Sequence, residues 1–227
     1  MLQIYEKLIS EPDPCWHFIE MVDTLLRMTV PKLTLESIKT QLSGLKDTGT
    51  FTNGLSRAAV LMCICPPDGN SDESPLLLLT KRTHSVETHK GQISFPGGVC
   101  ESHDSTPIAS ALRETEEEIG ISREYVSVIG CLPSLDTPSG FSILPVVGII
   151  RQGFRLLINP DEVAEVFFVP LSYFMNGANT SQRSIVHEGI ERKVYVFHWQ
   201  GMEIWGATAW MIEQLCRYLG KSEGYVD

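Results

Sequence analysis

The sequence predicts an α/β protein: an α/β/α sandwich around a mixed sheet, with a helical extension at its N-terminus. Three observations predict it. Residues 1–50 show apolar helical periodicity, strand signals crowd the middle of the chain, and helices flank that middle at 107–119 and 207–219. At 227 residues, 43% hydrophobic and 20% charged, the chain suffices for one well-filled core and an appendage.

The helical periodicity of the first segment falls over 2–9, 16–28 and, after Pro31, 35–45. The run 47–54 sets Gly49, Asn53 and Gly54 among threonines and reads as a linker, placing the extension at 1–50 and the main domain at 51–227. Residues 57–65 are an unbroken apolar strand, 66–75 (PPDGNSDESP) a loop by composition, and 76–81 the partner strand. A short strand over 93–95 delivers the chain to Gly97 and Gly98. After the helix that follows, 126–131 and 143–150 read as strands flanking a loop around Asp136, an Asx-turn candidate by composition. Shorter strand signals occupy 154–157 and 166–169. A hairpin about Gly189 joins 184–186 to 193–199, and 207–219 closes the chain as a helix with Ala209, Ile212, Leu215 and Leu219 apolar.

The densest chemistry lies in 95–121, FPGGVCESHDSTPIASALRETEEEIGI. Ser105 and Thr106 offer a side-chain cap, Pro107 suits a first helical turn, and no breaker follows until Gly120, so 107–119 is expected as one helix. At about 100° per residue, Ile108, Leu112, Thr115 and Ile119 form one stripe, and Glu114, Glu117 and Glu118 are expected together on the opposite side. Arg113, four residues before Glu117, pairs with it along the helix but leaves most of the negative charge uncompensated. An acidic helix face can simply be solvated. Gly97 and Gly98 argue for more, because residues without side chains let a backbone carbonyl approach an ion or a phosphate. Hard oxygen donors suit Mg²⁺ or Mn²⁺, which also hold substrate phosphates.

A glycine, then an acidic residue, then an Arg-Glu-x-x-Glu-Glu-x-Gly helix resembles the Nudix box of the Nudix hydrolases. Here those last residues are Arg113, Glu114, Glu117, Glu118 and Gly120, closed by Ile121. The family pattern has five residues between its glycine and a glutamate, and seven more before the arginine. Counted from Gly98, this chain has Asp104 at the acidic position, and eight residues separate it from Arg113. The run 76–98 (LLLLTKRTHSVETHKGQISFPGG) is similar to the coenzyme A diphosphatase branch through Leu78, Leu79, Thr80, Arg82, His89, Gly91, Gln92, Phe95, Pro96, Gly97 and Gly98. The runs 132–141 (LPSLDTPSGF) and 204–210 (IWGATAW) extend the similarity across residues 57–220. Two residues before the histidine, where that branch has an arginine, this chain has Glu87.

The resemblance implies the α/β/α fold and an enzyme in which water attacks one phosphorus of a diphosphate. It implies Mg²⁺ or Mn²⁺ held by Glu114, Glu117, Glu118 and the Gly98 carbonyl. The catalytic groups it implies are Glu117, Glu114, Arg113 and, from outside the box, Glu162, which is preferred over Glu165 in NPDEVAEVFFVP. A solvated helix turn is the ordinary reading of those two acids. Arg57, Arg82, His89, Gln92 and Asp136 are the expected substrate contacts. The implied substrate is coenzyme A or an acyl derivative, cut to 3′,5′-ADP and 4′-phosphopantetheine. ADP-ribose, NADH and nucleotide sugars are the alternatives that Glu87 raises. A nucleotide-binding regulator is the non-catalytic alternative, disfavoured because Arg113 and all three glutamates are intact.

A formal charge of −10, with no basic run, argues against a general nucleic-acid surface. No segment carries the ~20 apolar residues of a membrane span, and no basic-then-apolar leader opens the chain, so a cytoplasmic protein without membrane association is expected. A role for residues 1–50 in covering the site or in forming a homodimer fits their separate periodicity. The six cysteines lack zinc-type spacing and are not expected to form disulfides, and Cys63 and Cys65 read as core residues. Among six histidines without ligand spacing, His89 is set apart by the resemblance alone.

Overall fold

The computed structural model describes residues 33–46, 49–67, 73–83, 91–187 and 189–221. The helices expected over 2–9 and 16–28, the tip of the 66–75 loop, Glu87 and His89 lie outside the described residues. The chain divides into Met1–Leu33 and Thr34–Asp227, and the second unit holds every element described.

This second unit opens with α1 (Leu35–Gln41), started by reciprocal side-chain bonds between Thr34 and Ser37. Helix α1 ends earlier than the expected 35–45, at a Leu42 cap, and Ile38 and Leu42 are fully buried. Cys131 N–H then donates to the Lys46 carbonyl (2.8 Å), so the expected boundary at residue 50 falls inside a unit that starts at Thr34.

The elements that follow are β1 (Ser56–Cys65), β2 (Leu76–Arg82), β3 (Ile93–Ser94), β4 (Gly97–Val99), α2 (Pro107–Ile119), β5 (Val126–Cys131), β6 (Leu135–Asp136), β7 (Phe141–Ile150) and β8 (Val163–Pro170). They are completed by α3 (Leu171–Met175), β9 (Thr180–His187), β10 (Ile190–Trp199), β11 (Met202–Trp205) and α4 (Gly206–Tyr218). The main sheet runs β3-β2-β1-β7-β5, with β4 also on β1, β6 on β7 and β8 on β2. Strands β1 and β7 are parallel from Ser56 opposite Phe141 to Ile64 opposite Ile149, and the other pairings are antiparallel, which makes the sheet mixed.

Strand β1 reads as a continuous apolar run because both of its faces are covered. Ala59, Leu61, Cys63 and Cys65 pack with Ala111, Leu112 and Ile119 of α2 and with Leu144, Val146 and Ile150 of β7. Met62 and Ile64, alternating with them, are equally buried. The layers form the expected α/β/α sandwich. A smaller antiparallel sheet, β11-β10-β9, turns at Gly189, and the Thr208 hydroxyl of α4 donates to the Ile93 carbonyl of β3 (2.9 Å). The described cysteines are free thiols. Among the described residues no helix is long and apolar enough to cross a membrane.

Several local expectations change. Residues 154–157 are irregular, not a strand: Leu157 N–H donates to the Ile119 carbonyl and Asn159 N–H to the Glu118 carbonyl, both at 2.9 Å. Those N–H groups supply donors to the unpaired carbonyls at the C-terminal end of α2 and are not left for a ladder. Strands β4, β6 and β11 lacked a side-chain signal of their own. Asp136 lies on β6, and Thr137 closes the following turn instead, with Phe141 N–H on its hydroxyl (3.2 Å). Residues 159–162 form a turn leading into β8, not a helix turn, and Glu165 stands on that strand opposite Lys81.

Candidate active site

The site is assembled where α2 lies across β4. Helix α2 has its expected bounds: Thr106 accepts the Ala109 N–H (3.1 Å), Pro107 fills the first turn, and Gly120 ends the helix in the left-handed region. Strand β4 pairs with β1 through Ala58 opposite Val99, Ala59 opposite Gly98 and Val60 opposite Gly97. That pairing brings Gly97 so close that a Cβ would stand 2.4 Å from the Ala59 carbonyl oxygen, at a φ of +148°. A Cβ on Gly98 would stand 2.5 Å from the carboxyl carbon of Glu114. Gly97 therefore lets β4 press against β1, and Gly98 lets Glu114 lie directly on the β4 backbone, where Gly97 N–H donates to Glu118 Oε2 (3.2 Å).

This arrangement corrects the expectation that Glu114, Glu117 and Glu118 gather together on the side opposite the apolar stripe. Glu118 is one position, about 100°, from Ile119 on the helix and is 2% exposed. Burial pushes its carboxyl up to about 8; the Arg82 guanidinium and the Gly97 N–H pull against that, while Glu162 and Glu114 add to it. Arg82 Nη1 lies 3.5 Å from Glu118 Oε1. Glu114 is also largely buried, and its carboxyl is raised first by that burial, with the charges of Glu117 and Glu162 contributing against the opposing Arg113. Glu117 alone of the three is more than half exposed.

Arg113 is the organiser of this face. Its guanidinium reaches Glu117 Oε2 (2.7 Å), Glu114 Oε1 (2.9 Å) and both oxygens of Asp104 (3.0 and 3.1 Å). Asp104, out of step with the family pattern by one residue, is nevertheless the acid that grips the arginine with two parallel bonds. Arg113 holds the Asp104 carboxyl well below the usual carboxylate range. Asp104, Glu114, Glu117 and Glu118 thus share two guanidinium groups, those of Arg113 and Arg82.

Glu162 joins the group from outside the helix. Asn159 Nδ2 donates to its Oε1 (3.1 Å), and its charge is felt at both Glu114 and Glu118. Arg57 and Asp136 lie on the neighbouring part of the sheet, where Arg57 faces Ser142 across β1–β7 and Ser142 faces Asp136 across β7–β6. The Arg57 guanidinium stands over the Phe51 ring, 5.4 Å from its centre. Asp136 accepts the Thr52 hydroxyl (2.6 Å), and that bond, with one from Ser142, holds its carboxyl below the ordinary range. The Gln92 carbonyl accepts Arg82 N–H (3.0 Å). Sequence reasoning missed Asn159, whose signal was confined to an Asn-Pro-Asp turn, and left the role of Asp104 open.

As the side chains stand, these carboxylates are engaged by arginines and amides, and among the described residues no three ligand-type side chains converge on one centre. A separate cavity of about 520 Å³, lined by Cys65, Pro66, Leu76, Phe154 and Phe168 among others, lies at the other end of β1 and contains none of these acids.

An α/β/α sandwich here lays acidic side chains of a helix against a glycine-bearing strand. Comparison with known proteins gives the family: the model described as NUDIX domain matches residues 55–188, and the chain belongs to the Nudix family of hydrolases. It is 39% identical over 165 residues to a protein of Photorhabdus laumondii named "Uncharacterized Nudix hydrolase NudL", covering 73% of this chain and 85% of that one. A protein of the same name from Pectobacterium atrosepticum is 41% identical over 160 residues, 70% of this chain and 80% of its own. Among solved structures, a C. elegans Ap4A hydrolase binary complex aligns with a TM-score of 0.43 at 18% identity, over 51% of this chain and 80% of that one.

Proposed function

We propose that this Nudix hydrolase cleaves the diphosphate of coenzyme A or an acyl-coenzyme A with water, yielding 3′,5′-ADP and 4′-phosphopantetheine or its acyl form. The observation that carries the chemistry is the close seating of Glu114 and Glu118 on the Gly97–Gly98 backbone, with Glu162 alongside. A divalent cation fits these residues. The donors are hard oxygens, they outnumber the guanidinium groups that share them, and the buried Glu118 carboxyl is held up to about 8 by burial and by its acidic neighbours. Mg²⁺ or Mn²⁺ would be held by Glu114, Glu117, Glu118 and the Gly98 carbonyl, and would polarise the phosphoryl oxygens and lower the pKa of bound water.

The chain's own groups do the rest. Arg113, gripped by Asp104, orients Glu114 and Glu117. Glu162, held by Asn159, accepts the proton of the attacking water. Arg57 offers a guanidinium braced on an aromatic face to a substrate phosphate. His89, Gln92 and Asp136 complete the substrate contacts.

The choice of coenzyme A rests on the match of Leu78, Leu79, Thr80, Arg82, His89, Gly91, Gln92, Phe95, Pro96, Gly97 and Gly98 to the diphosphatase branch. Glu87 supports a second reading, because a carboxylate in place of a cation disfavours the extra phosphate of coenzyme A. The test is kcat/KM for coenzyme A, ADP-ribose, NADH and a nucleotide sugar with Mg²⁺. Coenzyme A or its acyl derivative is expected to lead by about tenfold, and EDTA is expected to abolish turnover. ADP-ribose or a nucleotide sugar in the lead would overturn the substrate and leave the hydrolase standing. In that case Glu87→Arg is expected to raise coenzyme A turnover selectively.

A further inference from the structure

We propose that Asn159 is a positioning residue that fixes the Glu162 carboxylate against the C-terminal end of α2, through one amide that serves the turn and the acid together. The proposal rests on the hydrolase reading above, in which Glu162 takes the proton of water. Asn159 stands at the junction of three parts of the site. Its backbone N–H donates to the Glu118 carbonyl (2.9 Å), which ties it to the acidic helix. Its Oδ1 accepts the Asp161 N–H (3.1 Å), and its carbonyl accepts Glu162 N–H (3.2 Å) and Val163 N–H (2.9 Å), which shape the turn. Its Nδ2 donates to Glu162 Oε1 (3.1 Å).

The turn by itself asks only for a side-chain oxygen, which aspartate or serine supplies equally well. The donor to Glu162 is the additional element, and among residues of this length asparagine alone carries both groups. The other side of the turn is fastened as well: Thr83 N–H donates to the Glu162 carbonyl and the Thr83 hydroxyl to the Asp161 carbonyl, both at 3.0 Å. The result is a short, doubly anchored link between Glu118, the buried acid of α2, and Glu162, the acid from outside it. With Oε1 occupied by the amide, Oε2 is left to take a proton. A proton acceptor displaced by an ångström from its water loses much of its effect, so the link governs the rate and leaves substrate affinity alone.

The experiment uses the full chain with Asn159→Ser and Asn159→Asp, each alone and combined with Glu162→Gln. Both substitutions keep an oxygen for the Asp161 N–H; aspartate has no donor for Glu162, and the serine hydroxyl stops one bond short of the position Nδ2 holds. The expected result is a kcat lowered about tenfold in Asn159→Ser and further in Asn159→Asp, where a carboxylate faces a carboxylate, with KM changed less than about threefold. In the Glu162→Gln background neither change is expected to lower kcat again by more than about twofold. The rise in Tm on adding Mn²⁺ is expected to persist in both single variants. An unchanged kcat, effects that multiply with Glu162→Gln, or loss of the Mn²⁺-induced rise would overturn the assignment; the last would show Asn159 acting through the helix acids instead. Absence of turnover of all four substrates by the unsubstituted protein would overturn the hydrolase reading and this proposal with it.

Discussion

Glu118 donates no charge to the surface, although the wheel of α2 places it among acids; its carboxylate is divided between the Gly97 amide and the Arg82 guanidinium in a buried site. Its carboxyl titrates at about 8 in the folded metal-free chain and at its ordinary 4.5 when unfolded. Between those values the folded chain holds the extra proton, so the stabilisation is complete below 4.5 and is lost as the pH rises through 8. Glu118→Gln removes that loss. In EDTA at pH 8 its Tm is expected to exceed that of the unsubstituted protein by roughly 5 °C, with near parity at pH 5, while kcat falls at least about a hundredfold. A variant less stable at pH 8 would sink the burial argument. Asp104 has the opposite sign. Its carboxyl is held low by Arg113, so the stability it contributes is present above 3.8 and lost in acid. Asp104→Asn is expected to lower kcat/KM about tenfold by loosening Arg113, with a Tm deficit at pH 7 that shrinks below pH 3.8 in thermal melts. The pairing was not legible by counting, because Glu101 N–H binds Asp104 Oδ2 (2.9 Å) and folds the extra residue into the loop before α2.

Helix α2 was readable to the residue because a cap, a proline and a glycine mark its ends locally. Strand β4 was not, since Gly-Gly-Val carries no strand pattern and acquires its extended form from the β1 edge it joins. The two glycines in that strand are expected to respond differently to alanine. At Gly97 the methyl meets backbone, 2.4 Å from the Ala59 oxygen, at a positive φ, so the strand itself must shift. Gly97→Ala is expected to lower Tm by roughly 8 °C or more. At Gly98 the methyl meets the far end of the Glu114 side chain, which can swing aside. Gly98→Ala is expected to keep Tm within about 3 °C and to lower kcat by about tenfold or more. Equal loss of stability in both variants, measured by thermal unfolding, would contradict the packing described.

Over the whole molecule, the division between Leu33 and Thr34 gives residues 34–46 a structural duty in the sandwich unit. Ile38 and Leu42 are fully buried, and the Lys46 carbonyl holds Cys131 at the end of β5. Burying an Ile and a Leu contributes about 1.5–3 kcal/mol each. A chain starting at Thr34 is therefore expected to unfold cooperatively and to retain activity. One starting at Gly49 is expected to melt at least about 5 °C lower than that shorter truncation. Identical melting of the two would place the boundary at the linker read from composition.

The sequence by itself determined the α/β order, the bounds of α2, the apolar run of β1 and the family, because each depends on spacing within one stretch of chain. It also collected Arg113, Glu114, Glu117 and Glu118 on one helix. Periodicity states the direction in which a side chain leaves its element, and it is silent on what stands in that direction. Only the tertiary structure decided that Glu118 is buried beside Arg82, that Gly97 makes room for β1 and Gly98 for Glu114, and that Asn159 joins the helix end to Glu162. Those outcomes depend on contacts between residues 21, 36 and 41 positions apart, Gly97 with Glu118, Arg82 with Glu118 and Asn159 with Glu118, which exist only once β4, β2 and the turn before β8 have closed around α2.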